Sequence, residues 1–143
     1  MELEGKIWKS KKFWLVEVPS LDAMTQGRTR AEALEMVKDL IKEMLINYFP
    51  DAAIAKLEIN VLDYKGRSIG VTTNNNSLVL ALSLRRQREK SGSTVREVSG
   101  RLGSKSPNAY AQYEKGRSRI SLEHYERLLN AANPYRQAHL KIG

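Results

Sequence analysis

The chain has 143 residues, no cysteine, 41% hydrophobic and 28% charged residues, and a formal net charge of +8. This composition is typical of a folded protein with one domain or two small ones, and it excludes disulfides and cysteine-based metal sites. The longest apolar run near the middle, residues 78–82, is too short to span a bilayer, and the polar N-terminus does not resemble a signal peptide, so we expect a cytoplasmic protein without membrane contacts.

The two halves of the chain differ in charge. Residues 1–76 contain 11 Lys and Arg against 11 Asp and Glu, whereas residues 77–143 contain 13 against 5. Because Lys and Arg bind polyanions by releasing the counterions of phosphate groups, the second half is expected to bind nucleic acid. The alternative is a solvated basic surface without a partner.

Short strands are predicted in the first half. Ile7 and Trp8 lie in a first strand, residues 13–18 form a second strand rich in aromatic and β-branched residues, and residues 10–12 close the hairpin between them. Residues 23–27 are long enough for a third short strand. Residues 57–61 and 69–71 give one or two further strands.

One long helix separates these strands. It begins after Thr29, which forms a capping box with Glu32, and it stops at Pro50. Its apolar stripe consists of Leu34, Val37, Ile41, Met44, Leu45 and Tyr48. A helix packed on an antiparallel sheet, in the order β-β-β-α-β with an optional last strand, predicts an α+β fold for residues 1–73. Residues 74–77 lack apolar side chains and are expected to link this domain to a second one, residues 78–143.

A short motif gives the first half a family resemblance. Its members are Thr25, Gly27, Thr29, Glu32, Ala33 and Leu34, which end a short strand and begin the helix. In this motif and in its element order, the first half resembles the HicB antitoxin family. The resemblance implies a partial ribonuclease-H-like fold that binds and blocks a small toxin ribonuclease, HicA.

Four short helices are predicted between residues 78 and 133. Apolar residues at helical spacing, such as Leu80 with Leu84 and Tyr110 with Tyr113, are expected to face inward. The helix starts and ends are marked by capping residues and glycines: Thr94 with Glu97, Ser106 with Pro107, Ser121, Gly103 and Gly116.

Two short helices joined by a glycine-containing turn are typical of a helix-turn-helix. Residues 94–133 resemble the Cro/C1-type repressor domain, most clearly in the glutamate-x-glycine sequence at Glu114 and Gly116 and in the basic stretch that follows. HicB antitoxins often carry such a domain behind the linker, so the two resemblances support each other. The chain departs from the family at Gln87, Ser93 and Ser99, polar residues that would loosen the packing, and in a stretch from residue 103 to residue 114 that is one residue longer than usual.

The third of these helices is the predicted recognition helix. Because Asn and Gln bond an adenine edge at two points, Asn108 and Gln112 would read sequence, and the alternative is that both are only solvated. The predicted base contacts are Ser106, Asn108, Ala109 and Gln112. The predicted phosphate contacts are Thr94, Lys105, Lys115, Arg117 and Arg119. A solvated or phosphate-facing surface is expected for Arg85, Arg86 and Arg88.

No catalytic site is expected. The histidines, His124 and His139, lack a nearby cluster of carboxylates at metal-ligand spacing. Glu17, Glu58 and Asp63 have no reason to converge and are expected to be ordinary exposed charges. We therefore expect no enzyme activity, metal or cofactor.

These features predict an antitoxin of a type II toxin–antitoxin pair. The first domain would bind a HicA-like toxin through an exposed helix face or a strand edge, and the second would bind double-stranded operator DNA and repress its own gene pair. One small domain offers few base contacts, so a dimer or a dimer of dimers is expected on a pseudo-palindrome. The alternatives are a free-standing helix-turn-helix repressor, whose first domain senses a ligand or dimerises, and a degenerate nuclease.

Overall fold

The computed structural model describes residues 1–51 and 56–135. The chain divides into two compact units, Met1–Asn76 and Ser77–Gly143. Residues 136–143, the C-terminal end of the predicted second domain with His139, lie outside the described residues. No helix in the described ranges is long and apolar enough to cross a bilayer.

The first unit is a five-stranded antiparallel sheet. Its strands are β1 (Leu3–Ser10), β2 (Phe13–Val18), β3 (Ala23–Gly27), β4 (Ile59–Asp63) and β5 (Ser68–Thr73). They lie in the order β3-β2-β1-β5-β4. The optional last strand is therefore present, and the predicted α+β fold is confirmed.

Helix α1 (Arg30–Tyr48) packs against β2, β3 and β4. Strand β1 alternates, with Ile7 buried opposite Val16 and the intervening side chains facing away. The helix buries Ala33, Val37, Ile41 and Leu45. The buried stripe therefore differs slightly from the predicted one, because three predicted members, Leu34, Met44 and Tyr48, are only half-buried. One face of the sheet is covered by α1, as the alternation requires.

The start of α1 is tied to the sheet at two points. A Cβ added at Gly27 would lie 2.5 Å from the amide nitrogen of Ala33, so only glycine permits this close approach. Arg30 donates to both carboxylate oxygens of Asp63, at 3.1 and 2.6 Å, and lies 5.6 Å from the ring centroid of Trp14. The hydrogen bonds from Arg30 lower the pKa of Asp63 to about 2. Asp63 is exposed, as expected, but it is paired with Arg30, a partner distant in sequence that the strand pattern did not predict.

The second unit contains only helices in its described part. They are α2 (Asn76–Ser91), α3 (Val95–Arg101), α4 (Asn108–Glu114) and α5 (Leu122–Ala132). Asn76 and Ser77 of the predicted linker form the first turn of α2. The shared core consists of Leu80, Leu84, Val98, Tyr110, Tyr125, Leu128 and Ala131.

Glycines end three of these helices, as predicted for two of them. Gly92, Gly103 and Gly116 each have a positive φ, between 70° and 76°. In each case the next residue's amide bonds the carbonyl five residues back, as Ser104 does to Ser99 at 3.0 Å. This bonding satisfies the last carbonyls of the helix and turns the chain sharply towards the next one.

Candidate nucleic-acid interface

Helices α3 and α4 are joined by a turn at residues 102–107. The start of α3 is fixed by the predicted capping box, in which the Thr94 hydroxyl accepts from the Glu97 amide and the Glu97 carboxylate accepts from the Thr94 amide. At the start of α4, the Ser106 hydroxyl accepts from the amide of Asn108, and Pro107 is the residue before the helix. Both helix starts are thus set by local contacts that are visible in the sequence.

One side of α4 is buried and the other faces solvent. Tyr110 and Glu114, four residues apart, are 1% and 6% exposed. Because successive residues of a helix turn by about 100°, Asn108 and Gln112 lie on the opposite side. Asn108 is exposed and Gln112 is half-exposed. The other two predicted base contacts, Ser106 and Ala109, are also exposed. The predicted base-contact residues therefore share one accessible surface.

A bidentate ion pair holds the buried side of α4 against α2. Arg88 donates to the two carboxylate oxygens of Glu114 at 2.7 and 2.9 Å, and to the Ser93 carbonyl at 3.1 Å. The hydrogen bond from Arg88 to Glu114 raises the pKa of Arg88, and burial raises the pKa of the adjacent Tyr110. The prediction that Arg88 is solvated or faces phosphate is wrong, because its side chain is only 17% exposed and its guanidinium is paired with Glu114.

The polar residues expected to loosen the packing are buried within the unit. Gln87 accepts from the amide of Asn133 at 2.9 Å, which joins α2 to the end of α5. Ser93 accepts from Arg101, whose guanidinium also bonds the Ala131 carbonyl at 2.8 Å. Buried polar groups that find partners stabilise a fold instead of loosening it. Two of the three departures, Gln87 and Ser93, therefore join elements of the unit.

Five cationic side chains of the second unit remain exposed without a hydrogen bond or ion pair within residues 77–135. They are Arg96, Lys105, Lys115, Arg117 and Arg119. Arg88, Arg101 and Arg127, in contrast, bond other groups of the unit. Four of the five flank α4 and were predicted as phosphate contacts. Arg96 was not among the predicted phosphate contacts. Its exposure was predictable, because Val95 and Val98 define the apolar side of α3 and Arg96 lies off that side.

Thr94, the remaining predicted phosphate contact, is already engaged. Its hydroxyl and its amide both bond the side chain of Glu97. A phosphate at this end of α3 would have to displace that carboxylate.

The family comparison bears on this same unit. Residues 79–133 match the family model described as a helix-turn-helix domain. The matched residues include all of α3, α4 and α5 and most of α2. No curated protein matches the chain. The helix-turn-helix domain suggests DNA binding and a regulatory role, so the predicted helix-turn-helix is supported.

The carboxylates and His124 do not form a metal site within residues 1–51 and 56–135. No group of three His, Asp or Glu side chains there is placed to hold a metal ion. The ring of His124 instead packs edge-on against Tyr113, with centroids 5.1 Å apart.

Proposed function

We propose that this chain is the antitoxin of a type II toxin–antitoxin pair and also represses its own gene pair. In this proposal, α4 enters the major groove of operator DNA, and the sheet unit binds a HicA-like toxin ribonuclease. The observation that carries the DNA-binding part is the set of exposed, unpartnered cations around α4 within a matched helix-turn-helix domain.

The distribution of contacts supports separate roles for the residues of this surface. Uncharged Asn108 and Gln112 project from the exposed side of α4 and would bond base edges. Lys105, Lys115 and Arg117 lie at the two ends of the helix and would bond phosphates on either side of the groove. Arg96 on α3 extends the phosphate-binding surface beyond the predicted set.

The antitoxin part rests on the first unit. Its strand order and the motif from Thr25 to Leu34 support the resemblance to HicB antitoxins. Its zero net charge suits a protein partner better than a polyanion. The exposed side of α1, which includes Met36 and Ile46, and the edge strands β3 and β4 are the candidate toxin contacts.

DNA binding is tested with the full chain after its preferred duplex has been selected from a random pool. Gln112→Ala should weaken the selected duplex about 5- to 150-fold, corresponding to about 1–3 kcal/mol, and should change random duplex little. Arg117→Ala should weaken both and reduce the slope of log K against log salt by about 1. Lys42→Ala on α1, which changes net charge equally, is the matched control. Equal losses on both duplexes for all three variants would refute the assignment of roles.

The assembly on DNA is tested by mass. A single copy offers one short reading helix, so two copies are expected on a pseudo-palindromic site. Light scattering should give a multiple of the 16.2 kDa chain mass. A mass of one chain, free and on the selected duplex, would contradict the dimer.

The toxin pairing is tested in cells with the neighbouring toxin-sized reading frame. Co-expression should restore growth, and the small protein should copurify with this chain. A toxic neighbour that this chain fails to neutralise would refute the antitoxin part and favour a free-standing repressor.

A further inference from the structure

The face of the sheet that α1 does not cover carries aromatic side chains. Trp8 and Phe13 lie on adjacent strands and on this same face, since Ser10 pairs with Phe13 and Trp8 with Leu15. Phe13 is 38% exposed, and Trp8 and Leu15 are half-buried. Adjacent strands place such diagonal neighbours within reach of one another. The result is a flat apolar platform near the β1–β2 turn.

This end of the sheet is cationic although the unit as a whole is neutral. Lys9, Lys11 and Lys12 lie at or next to the β1–β2 turn, and residues 5–16 contain no acidic residue. Lys11 and Lys12 form the two-residue turn between the strands, and both are exposed. Neither side chain has a hydrogen bond or ion pair in the described ranges 1–51 and 56–135. The positive charge is therefore available to an anion.

Phe13, Leu15 and the two turn lysines line part of a shallow, open hollow of about 330 Å³. Its lining consists of Ser10, Lys11, Lys12, Phe13, Leu15 and Gln26. It combines an exposed ring, two cations, and a hydroxyl and an amide able to bond the edge of a heterocycle. This volume is at the small end of the range for ligand sites, and it suits one small planar group better than a protein surface.

The backbone of the turn gives a second observation. Lys11 has a φ of 56°, a left-handed conformation that glycine adopts more readily than lysine. The sequence thus places a cation where another residue would form a more stable turn. Strained positions of this kind are concentrated at functional sites.

We propose that this hollow binds an unpaired nucleotide, with the base stacked on Phe13 and the phosphate between Lys11 and Lys12. Gln26 would bond the base edge, and Trp8 would accept the next base of a single strand. Unpaired bases stack on aromatic side chains irrespective of sequence, and lysines bind the backbone beside them. The site contains no residue of α4, and it shares only Gln26 with the edge strand β3, which is one of the candidate toxin contacts.

The test uses the full chain at low salt with fluorescein-labelled oligo(dT) and oligo(U) of about ten nucleotides. Unlabelled UMP is added as a competitor. If UMP displaces the labelled oligonucleotide, the site binds a free nucleotide; if the oligonucleotide binds tightly and UMP does not displace it, the site binds a single strand. Phe13→Ala should weaken the bound form about 5- to 100-fold. Lys12→Gln should weaken it several-fold, whereas Lys42→Gln on α1 should not.

One variant separates binding from folding. Lys11→Gly should keep or raise the melting temperature, since glycine relieves the left-handed turn, and should still weaken the oligonucleotides. Arg117→Ala should leave oligonucleotide affinity within about twofold, and Phe13→Ala should leave duplex binding unchanged. The proposal is overturned if Phe13→Ala and Lys11→Gly bind as the wild type does, if Arg117→Ala alone removes binding, or if a poly-glutamate peptide of equal charge competes as well as the oligonucleotide.

Discussion

The pair of Arg88 and Glu114 should determine the stability of the helix-turn-helix. In Glu114→Gln the side chain keeps its shape, but one carboxylate oxygen becomes an NH₂ group facing the guanidinium. Arg88, 17% exposed, then loses its counter-charge and one of two short hydrogen bonds. Breaking a fully buried pair costs about 3–5 kcal/mol, and the residual exposure of Arg88 reduces the expected loss to about 2–3 kcal/mol.

That loss is large for a small domain. A unit of roughly 60 residues has a stability on the order of 3–9 kcal/mol at about 0.05–0.15 kcal/mol per residue. Its melting temperature should therefore fall by on the order of 10–20 °C. The exposed side of α4 should be lost together with the core, because Glu114 and Asn108 lie on the same seven-residue helix.

The assay is urea unfolding followed by two signals. Both tryptophans, Trp8 and Trp14, lie in the first unit, so their fluorescence reports the sheet, whereas circular dichroism at 222 nm also reports α2 to α5. Glu114→Gln should shift the circular dichroism transition. Glu123→Gln, at an exposed glutamate of α5, is the matched control. A Glu114→Gln loss within about 0.5 kcal/mol of that control would refute the reasoning.

A double variant separates the charge from the packing. Arg88→Met with Glu114→Leu removes both charges and keeps apolar volume. It should recover much of the stability lost in Glu114→Gln, because no charge remains buried without a partner. If the double variant were less stable than Glu114→Gln, the pair would stabilise the unit through its hydrogen bonds and packing as well as through the neutralisation of its two charges.

Three further predictions concern pH and helix capping. Because the pKa of Asp63 in the folded protein is lowered to about 2, its pairing with Arg30 stabilises the first unit above pH 4, and this stabilisation is lost as pH falls towards 2. Asp63→Asn should remove this acid dependence and lower the free energy of unfolding by up to about 1 kcal/mol at pH 7, as measured by tryptophan fluorescence. Burial raises the pKa of Tyr125 to about 12, so ionisation of Tyr125 should destabilise the helical unit progressively as pH rises from 10 to 12. Alkaline unfolding of Tyr125→Phe should therefore depend less on pH in this range, and identical pH profiles for the two proteins would contradict this. Thr94→Ala removes the capping hydroxyl of α3 and should cost about 1 kcal/mol in urea unfolding, whereas Thr94→Ser, which keeps a hydroxyl, should cost less.

Much of the local structure was predictable because its causes are local. The Thr94 capping box and the glycines at 103 and 116 lie within a few residues of the helix ends that they set. The alternation around Ile7 and Val16 likewise assigned one face of each strand to the core. These signals were sufficient for the α+β fold, the helix-turn-helix and the exposed side of α4.

The sequence by itself thus determined the elements, the surplus of positive charge in the second half and the uncharged residues on the exposed side of α4. Only the tertiary structure decided which charges are available. The residues around Arg88 and Arg101 do not distinguish these two arginines from Arg96 and Arg117. Arg88 and Arg101 nevertheless form hydrogen bonds with groups that chain folding brings close. Asp63 meets Arg30 across 33 positions for the same reason. Hydrogen-bond partners distant in sequence depend on how helices and strands pack, and no local pattern of residues specifies that packing.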